Sequence, residues 1–131
     1  MNNLPAEIKN RSFLIVDDAS SMRGLLSAII KSFGIKRVYE AADGDEALRV
    51  LEKKTIDIVF CDWEMPKKDG LQLYEELQKD EKYSAIPFVL VTSAAELDKV
   101  KTALAKGIKE YVVKPFKEDT ILSKIVKLLD E

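Results

Sequence analysis

The sequence predicts an α/β domain of the (βα)5 type, a doubly wound parallel sheet of five strands. Short apolar runs rich in β-branched residues alternate with amphipathic helical stretches, and each connection has room for one helix. Polar residues with chemical potential follow directly on the apolar runs. At 131 residues and 47% hydrophobic, the chain suits one domain with a substantial core, with no room for a second.

Residues 1 to 11 read as a tail, partly helical around Ala6 to Asn10, and residues 12 to 131 as the domain. Phe13-Leu14-Ile15-Val16 is a central strand that stops at Asp17-Asp18. Ser20 or Ser21 is placed to cap a helix whose inward face is Met22, Leu25, Leu26, Ile29, Ile30 and Phe33, closed by Gly34. Arg37 to Ala41 forms a shorter strand, and Asp43-Gly44-Asp45 turns into a helix through Ala47, Leu48 and Leu51. Ile56 to Cys61 is a strand buried on both faces, delivering Asp62 to its end.

Pro66 and Asp69-Gly70 mark a structured loop, with Asp69-Gly70 read as a turn, before a helix from Leu71 to about Lys79 that turns Leu71, Tyr74 and Leu77 inward. Lys82 to Pro87 connects to the strand Phe88-Val89-Leu90-Val91, which ends in Thr92-Ser93. Leu97, Val100 and Leu104 mark the next helix, stopped by Gly107. Tyr111-Val112-Val113 is the last strand, ending in Lys114-Pro115, and Ile121, Leu122, Ile125, Leu128 and Leu129 give a final helix.

Composition narrows the chemistry. With 21 basic against 23 acidic residues, no global field draws the chain to nucleic acid or to an anionic membrane. The absence of histidine excludes imidazole bases and histidine metal sites, and a single cysteine excludes an internal disulfide. No apolar stretch is long enough to span a bilayer, so a cytoplasmic protein is expected.

In a parallel sheet the C-terminal ends of all strands share one edge, so Asp17, Asp18, Asp62, Thr92 and Lys114 can converge in one crevice. Each alone is a common turn former, helix cap or surface residue; suitable types at four separate strand ends favour a site. Three carboxylates within ~5 Å repel by about 3 kcal/mol per pair at an effective dielectric near 20, and so need a cation. An all-oxygen site with few protein ligands suits Mg²⁺. An Asp62 oxygen can then attack a phosphoryl group, with Lys114 and the Thr92 hydroxyl as partners for phosphoryl oxygens. Pro115 is placed to fix the loop that aims Lys114, through a cis bond if one forms.

Cys61 reads as core, and Trp63 as either pocket rim or a partly exposed aromatic facing a partner. Tyr111 either covers the last strand or swings between buried and exposed positions when the site changes charge. The lysines from Lys99 onward read as solvated helix faces.

These residues carry a resemblance. Leu14-Ile15-Val16-Asp17-Asp18, Ala42-Asp43-Gly44-Asp45-Glu46-Ala47-Leu48, Cys61-Asp62-Trp63-Glu64-Met65-Pro66 with Asp69-Gly70, Val91-Thr92-Ser93, and Gly107 through Tyr111 to Val113-Lys114-Pro115-Phe116 together resemble response-regulator receiver domains. The stand-alone chemotaxis type called CheY-like is the most similar. The resemblance covers Ser12 to Leu129 and implies a flavodoxin-like strand order, 2-1-3-4-5. It implies that Asp62 is the phosphoacceptor and that Asp17, Asp18, Asp62 and the Glu64 backbone carbonyl hold Mg²⁺. Thr92 and Lys114 contact the phosphoryl group, and Thr92 and Tyr111 move inward together as a switch.

The implied donors are the phosphohistidine of a sensor histidine kinase or phosphotransfer domain, or a small molecule such as acetyl phosphate. The implied output is a surface on the fourth helix, last strand and last helix, read by a downstream partner such as a flagellar motor or another signalling protein. A monomer is expected. Glu64 and Ala94 occupy positions that tune water access to the acyl phosphate, and Glu64 is a candidate partner for Lys114. The rival readings are a phosphohydrolase using Glu64 as general acid/base, a flavin binder, disfavoured by Asp17-Asp18, and a protein-binding module whose site is unused.

Overall fold

The computed structural model describes residues 4–130. Five parallel strands, β1 (Ser12–Val16), β2 (Arg37–Ala41), β3 (Ile58–Asp62), β4 (Phe88–Ser93) and β5 (Glu110–Lys114), lie in the order β2-β1-β3-β4-β5. The helices are α1 (Ala6–Lys9), α2 (Ser20–Ser32), α3 (Gly44–Lys53), α4 (Gly70–Gln78), α5 (Val100–Ala105) and α6 (Glu118–Leu129), with a 3-10 turn at Ala94–Lys99. The doubly wound sheet and its flavodoxin-like order are as expected from the sequence.

Strand alternation divides the core in two. Leu14, Val16, Val59, Cys61 and Leu90 meet α3, α4 and α5 on one face; Phe13, Ile15, Phe60, Val89 and Val91 meet α2 and α6 on the other. Strands β1 and β3 are buried throughout, which is why they read as unbroken apolar runs.

Several local expectations are corrected. No serine side chain caps α2: Ala19 is the N-cap residue, and its amide donates to Asp17 Oδ1 at 2.9 Å. The inward face of α2 is Leu26, Ile29 and Ile30, with Phe33 following, while Leu25 is 51% exposed and Met22 only half-buried. Strand β3 starts at Ile58, because Asp57 instead accepts the Ser12 amide at 2.7 Å and ties down the start of β1. The helix marked by Leu97 and Leu104 is split into the 3-10 turn and the short α5; Leu97 and Leu104 are exposed, and Val100 and Ala103 face inward. The segment read as a tail packs Leu4 and Ile8 into the α2/α6 side of the core.

Asp43 and Asp69 start α3 and α4 by accepting the amides of Glu46 and Gln72, each at 2.8 Å, and the Asp69 amide donates in turn to Gln72 Oε1. Asp69 is therefore a helix cap. Gly34 and Gly107, with φ of 93° and 111°, end α2 and α5 in the left-handed region that glycine adopts without strain.

Candidate phosphoryl-transfer site

The C-terminal ends of β1, β3 and β5 bring Asp17, Asp18, Asp62 and Lys114 together. One carboxylate oxygen from each of Asp17, Asp18 and Asp62 lies within 4.8 Å of the others. Asp17 and Asp62 are buried at 4% and 7% exposure, while Asp18 faces solvent. Lys114 Nζ bridges the two buried acids, 3.0 Å from Asp62 Oδ1 and 3.4 Å from Asp17 Oδ2. The Asp18 carboxylate keeps an open approach beside a cavity of about 440 Å³ lined by Asp18, Glu64, Met65, Pro66 and Asp69. This donor set fits a hard divalent cation: clustered oxygens, two of them buried, with more negative charge than one ammonium offsets.

The electrostatics are uneven across the ion pair. Burial, with help from Asp17 and Glu96, pushes the Asp62 carboxyl from 3.8 up to about 6, although Lys114 pulls the other way. Burial works against charge on Lys114 too, yet two carboxylates beside it raise its pKa. Lys114 thus remains a firm cation, whereas Asp62 holds its charge against desolvation. Cys61 is fully buried; burial, with the charges of Asp62, Asp17 and Asp69, pushes its thiol well up and keeps it protonated and unreactive.

The backbone supports this placement. Asp62 pairs in register with Val91 on β4, and the Gly70 amide donates to the Trp63 carbonyl at 2.7 Å, folding the loop back over the strand end. Any Cβ at position 70 would strike the Asp62 carbonyl oxygen. The Lys114–Pro115 peptide is cis, and Pro115 is exposed where the chain leaves β5.

Other sequence-predicted residues lie differently. Trp63 is neither rim nor partner-facing: at 6% exposure it belongs to the core. Glu64 is exposed, and Lys114 pairs with Asp62 and Asp17 instead of with it. Thr92 is fully buried, and its hydroxyl donates to Glu96 Oε1 at 3.2 Å. Tyr111 is half-buried on β5, opposite Leu90.

Two residues escaped the sequence reading. Arg23 Nη1 donates to the Asp17 carbonyl at 2.6 Å and its Nε pairs with Glu40 at 3.1 Å, strapping the β1 exit; nothing in the sequence joins these positions. Glu96 is the other, and its spacing Ser93-Ala94-Ala95-Glu96 is that of a capping box, a readable signal. At the opposite edge of the sheet, a cavity of about 320 Å³ contains Glu110, whose charge is met by Lys124 and Lys127, both at 2.8 Å.

A doubly wound α/β domain with a lysine-bridged acidic cluster at the C-terminal edge of its sheet defines the class: a flavodoxin-like domain with an oxygen-donor site where its strands end. The response regulator receiver domain family matches residues 13–126, and the chain belongs to that family. It is 34% identical over 122 residues to the chemotaxis protein CheY-3 of Vibrio cholerae, covering 93% of this chain and 94% of that one. Among solved structures, CheY4 of Vibrio cholerae superposes with a TM-score of 0.83 at 29% identity, over 92% of this chain and 99% of that chain. The receiver domain of the sensor histidine kinase PA1611 of Pseudomonas aeruginosa, solved with a magnesium ion coordinated in its active site cleft, gives 0.83 at 25% identity over 93% and 99%. The chain is thus the receiver domain of a two-component response regulator, a signalling domain.

Proposed function

We propose that Asp62 is phosphorylated by the phosphohistidine of a sensor histidine kinase or phosphotransfer domain, or by a small acyl phosphate. The observation that carries this reading is the bridge of Lys114 to Asp62 at 3.0 Å beside the Asp17–Asp18–Asp62 cluster. An Asp62 carboxylate oxygen forms a bond to phosphorus as the bond to the leaving imidazole nitrogen or acetate oxygen breaks, its electron pair departing with that atom. Asp17, Asp18, Asp62 and the Glu64 backbone carbonyl would hold Mg²⁺, which when bound supplies positive charge to the phosphoryl oxygens.

Lys114 keeps its proton and, once Asp62 is esterified, turns its donors to the phosphoryl oxygens. The Thr92 hydroxyl donates to another of them, and Tyr111 follows Thr92 in the switch. Pro115 orients the loop behind Lys114. The changed surface of α5, β5 and α6 is read by a downstream partner; the chemotaxis relatives support a motility or relay role, carried out by a cytoplasmic monomer in a domain spanning residues 12 to 131. No helix among the described residues is long and apolar enough to cross a membrane.

The test is intact-protein mass after incubation with acetyl phosphate, with and without Mg²⁺. A single phosphoryl adduct formed by the wild type only with Mg²⁺, and absent in Asp62→Asn, is expected. An adduct that survives in Asp62→Asn would move the acceptor elsewhere, and no wild-type adduct from either acetyl phosphate or a phosphorylated phosphotransfer domain would overturn the reading.

A further inference from the structure

The exit of β4 carries a buried acid that phosphoryl transfer does not call for. Glu96, 7% exposed, sits in the 3-10 turn after Ser93. Its Oε1 accepts from the Thr92 hydroxyl at 3.2 Å, the Ser93 amide at 3.0 Å and the Ser93 hydroxyl at 3.1 Å. Its Oε2 is buried without a hydrogen-bond partner. All the satisfaction of this carboxylate comes through one oxygen, which makes each donor to it costly to lose.

Thr92 has one hydroxyl proton to give. Its other acceptor within range is the neutral Ser93 carbonyl at 3.4 Å, at the limit of a hydrogen bond, so the proton goes to the carboxylate. Thr92 is 0% exposed, and no bulk water competes for the hydroxyl. The charge on Glu96 also adds to the negative field at Asp62. The hydroxyl that a phosphorylated Asp62 needs is therefore already engaged by an anion.

We propose that Glu96 is a latch on Thr92, a positioning residue that withholds the hydroxyl until a phosphoryl group on Asp62 offers an acceptor of comparable strength. The inference rests on the phosphoacceptor reading above and deepens it. When the hydroxyl turns away, Glu96 keeps both Ser93 donors, so the turn retains its shape while its carboxylate loses one of its three bonds. Release is an exchange of one charged acceptor for another, which makes switching sensitive to the acid at this position. A buried acid here raises the threshold for switching without touching the reacting atoms.

Glu96→Gln tests this with nearly unchanged shape: the amide oxygen still accepts from Ser93, and the charge is gone. Adduct formation on Asp62 from acetyl phosphate is expected to rise about tenfold, the weight of one hydrogen bond to a charged acceptor. The gain must vanish in a Thr92→Ala background, because a latch acts only through the hydroxyl. No gain, or an equal gain with and without Thr92, overturns the proposal; a loss in both backgrounds with a lowered urea midpoint would assign Glu96 to stapling the turn.

A second measurement needs no phosphodonor. The Thr92 side-chain three-bond couplings in solution NMR should report one rotamer in the wild type and averaging in Glu96→Gln, and identical couplings refute the latch. If the wild type forms no adduct at all, the phosphoacceptor reading falls, and the couplings alone decide whether Glu96 holds Thr92.

Discussion

Replacing Asp62 by Asn should make the metal-free protein more stable. The Asp62 carboxyl is 7% exposed and burial raises its pKa from 3.8 to about 6, which at neutral pH corresponds to about 3 kcal/mol held against the charged form. Asn removes that penalty, a net figure that already includes the pull of Lys114, whose ammonium keeps Asp17 at 3.4 Å, so the expected gain is about 3 kcal/mol. The sign follows from proton counting. Between pH 3.8 and about 6 the folded state binds more protons at Asp62 than the unfolded state, so wild-type stability falls as pH rises through that window. The assay is urea unfolding of both proteins in a chelator at pH 7.5 and pH 4.5. Other acids contribute equally to both, so the gap between the two proteins isolates Asp62, and it should shrink by about 2 kcal/mol at the lower pH. Magnesium should reverse the order at pH 7.5, since a ligand at about a thousandfold its Kd stabilises the protein that binds it by about 4.1 kcal/mol. A variant no more stable than the wild type at pH 7.5 in chelator, or a gap independent of pH, would refute the account of a strained carboxylate.

Gly70→Ala should cost about 3 kcal/mol in urea unfolding, because its Cβ meets the backbone of Asp62 and Trp63 and the Leu90 methyl at 3.0 Å, and should slow adduct formation about a hundredfold by displacing Asp62; unchanged kinetics would contradict that linkage. Burial alone would raise Glu110, but the ammonium groups of Lys124 and Lys127 hold it below 4.5, so its stabilising effect is complete above that value and fades as pH falls through the lower folded-state pKa. Glu110→Gln should therefore lose about 1 kcal/mol at pH 7 and show a shallower acid limb in a pH series of urea midpoints; parallel limbs would count against the pairing. Leu26→Ala should destabilise by about 3 kcal/mol, while Leu25→Ala, one position along α2, should stay within about 0.5 kcal/mol; equal losses would mean the helix is rotated from the face described.

The sheet was legible because its central strands are buried on both faces. Phe13 to Val16, Phe60-Cys61 and Phe88 to Val91 need no alternation to announce themselves, and topology then sends Asp17, Asp62, Thr92 and Lys114 to one edge. Helical faces were read less well. Leu25, Leu97 and Leu104 satisfy a helical period yet face outward, because period defines a stripe and the neighbouring sheet decides how far it is turned. Trp63 misled for another reason: the loop folds back through the Gly70 amide and carries the indole into the core, a consequence of a contact that no local pattern contains. Pairings were the least legible. Lys114 chose Asp62 and Asp17 over Glu64, because loop trajectories set which charges meet.

The burial of Trp63 gives the protein a built-in optical gauge. It is the sole tryptophan in the chain, it is shielded from solvent, and one peptide bond separates it from Asp62. Emission excited at the red edge of the protein spectrum therefore arises from one indole beside the acidic cluster, with no averaging over distant fluorophores. Under the proposed function, cation occupancy of the cleft, phosphoryl turnover on Asp62 and loosening of the β3 loop would each be followed in unlabelled protein at micromolar concentration, on the stopped-flow time scale.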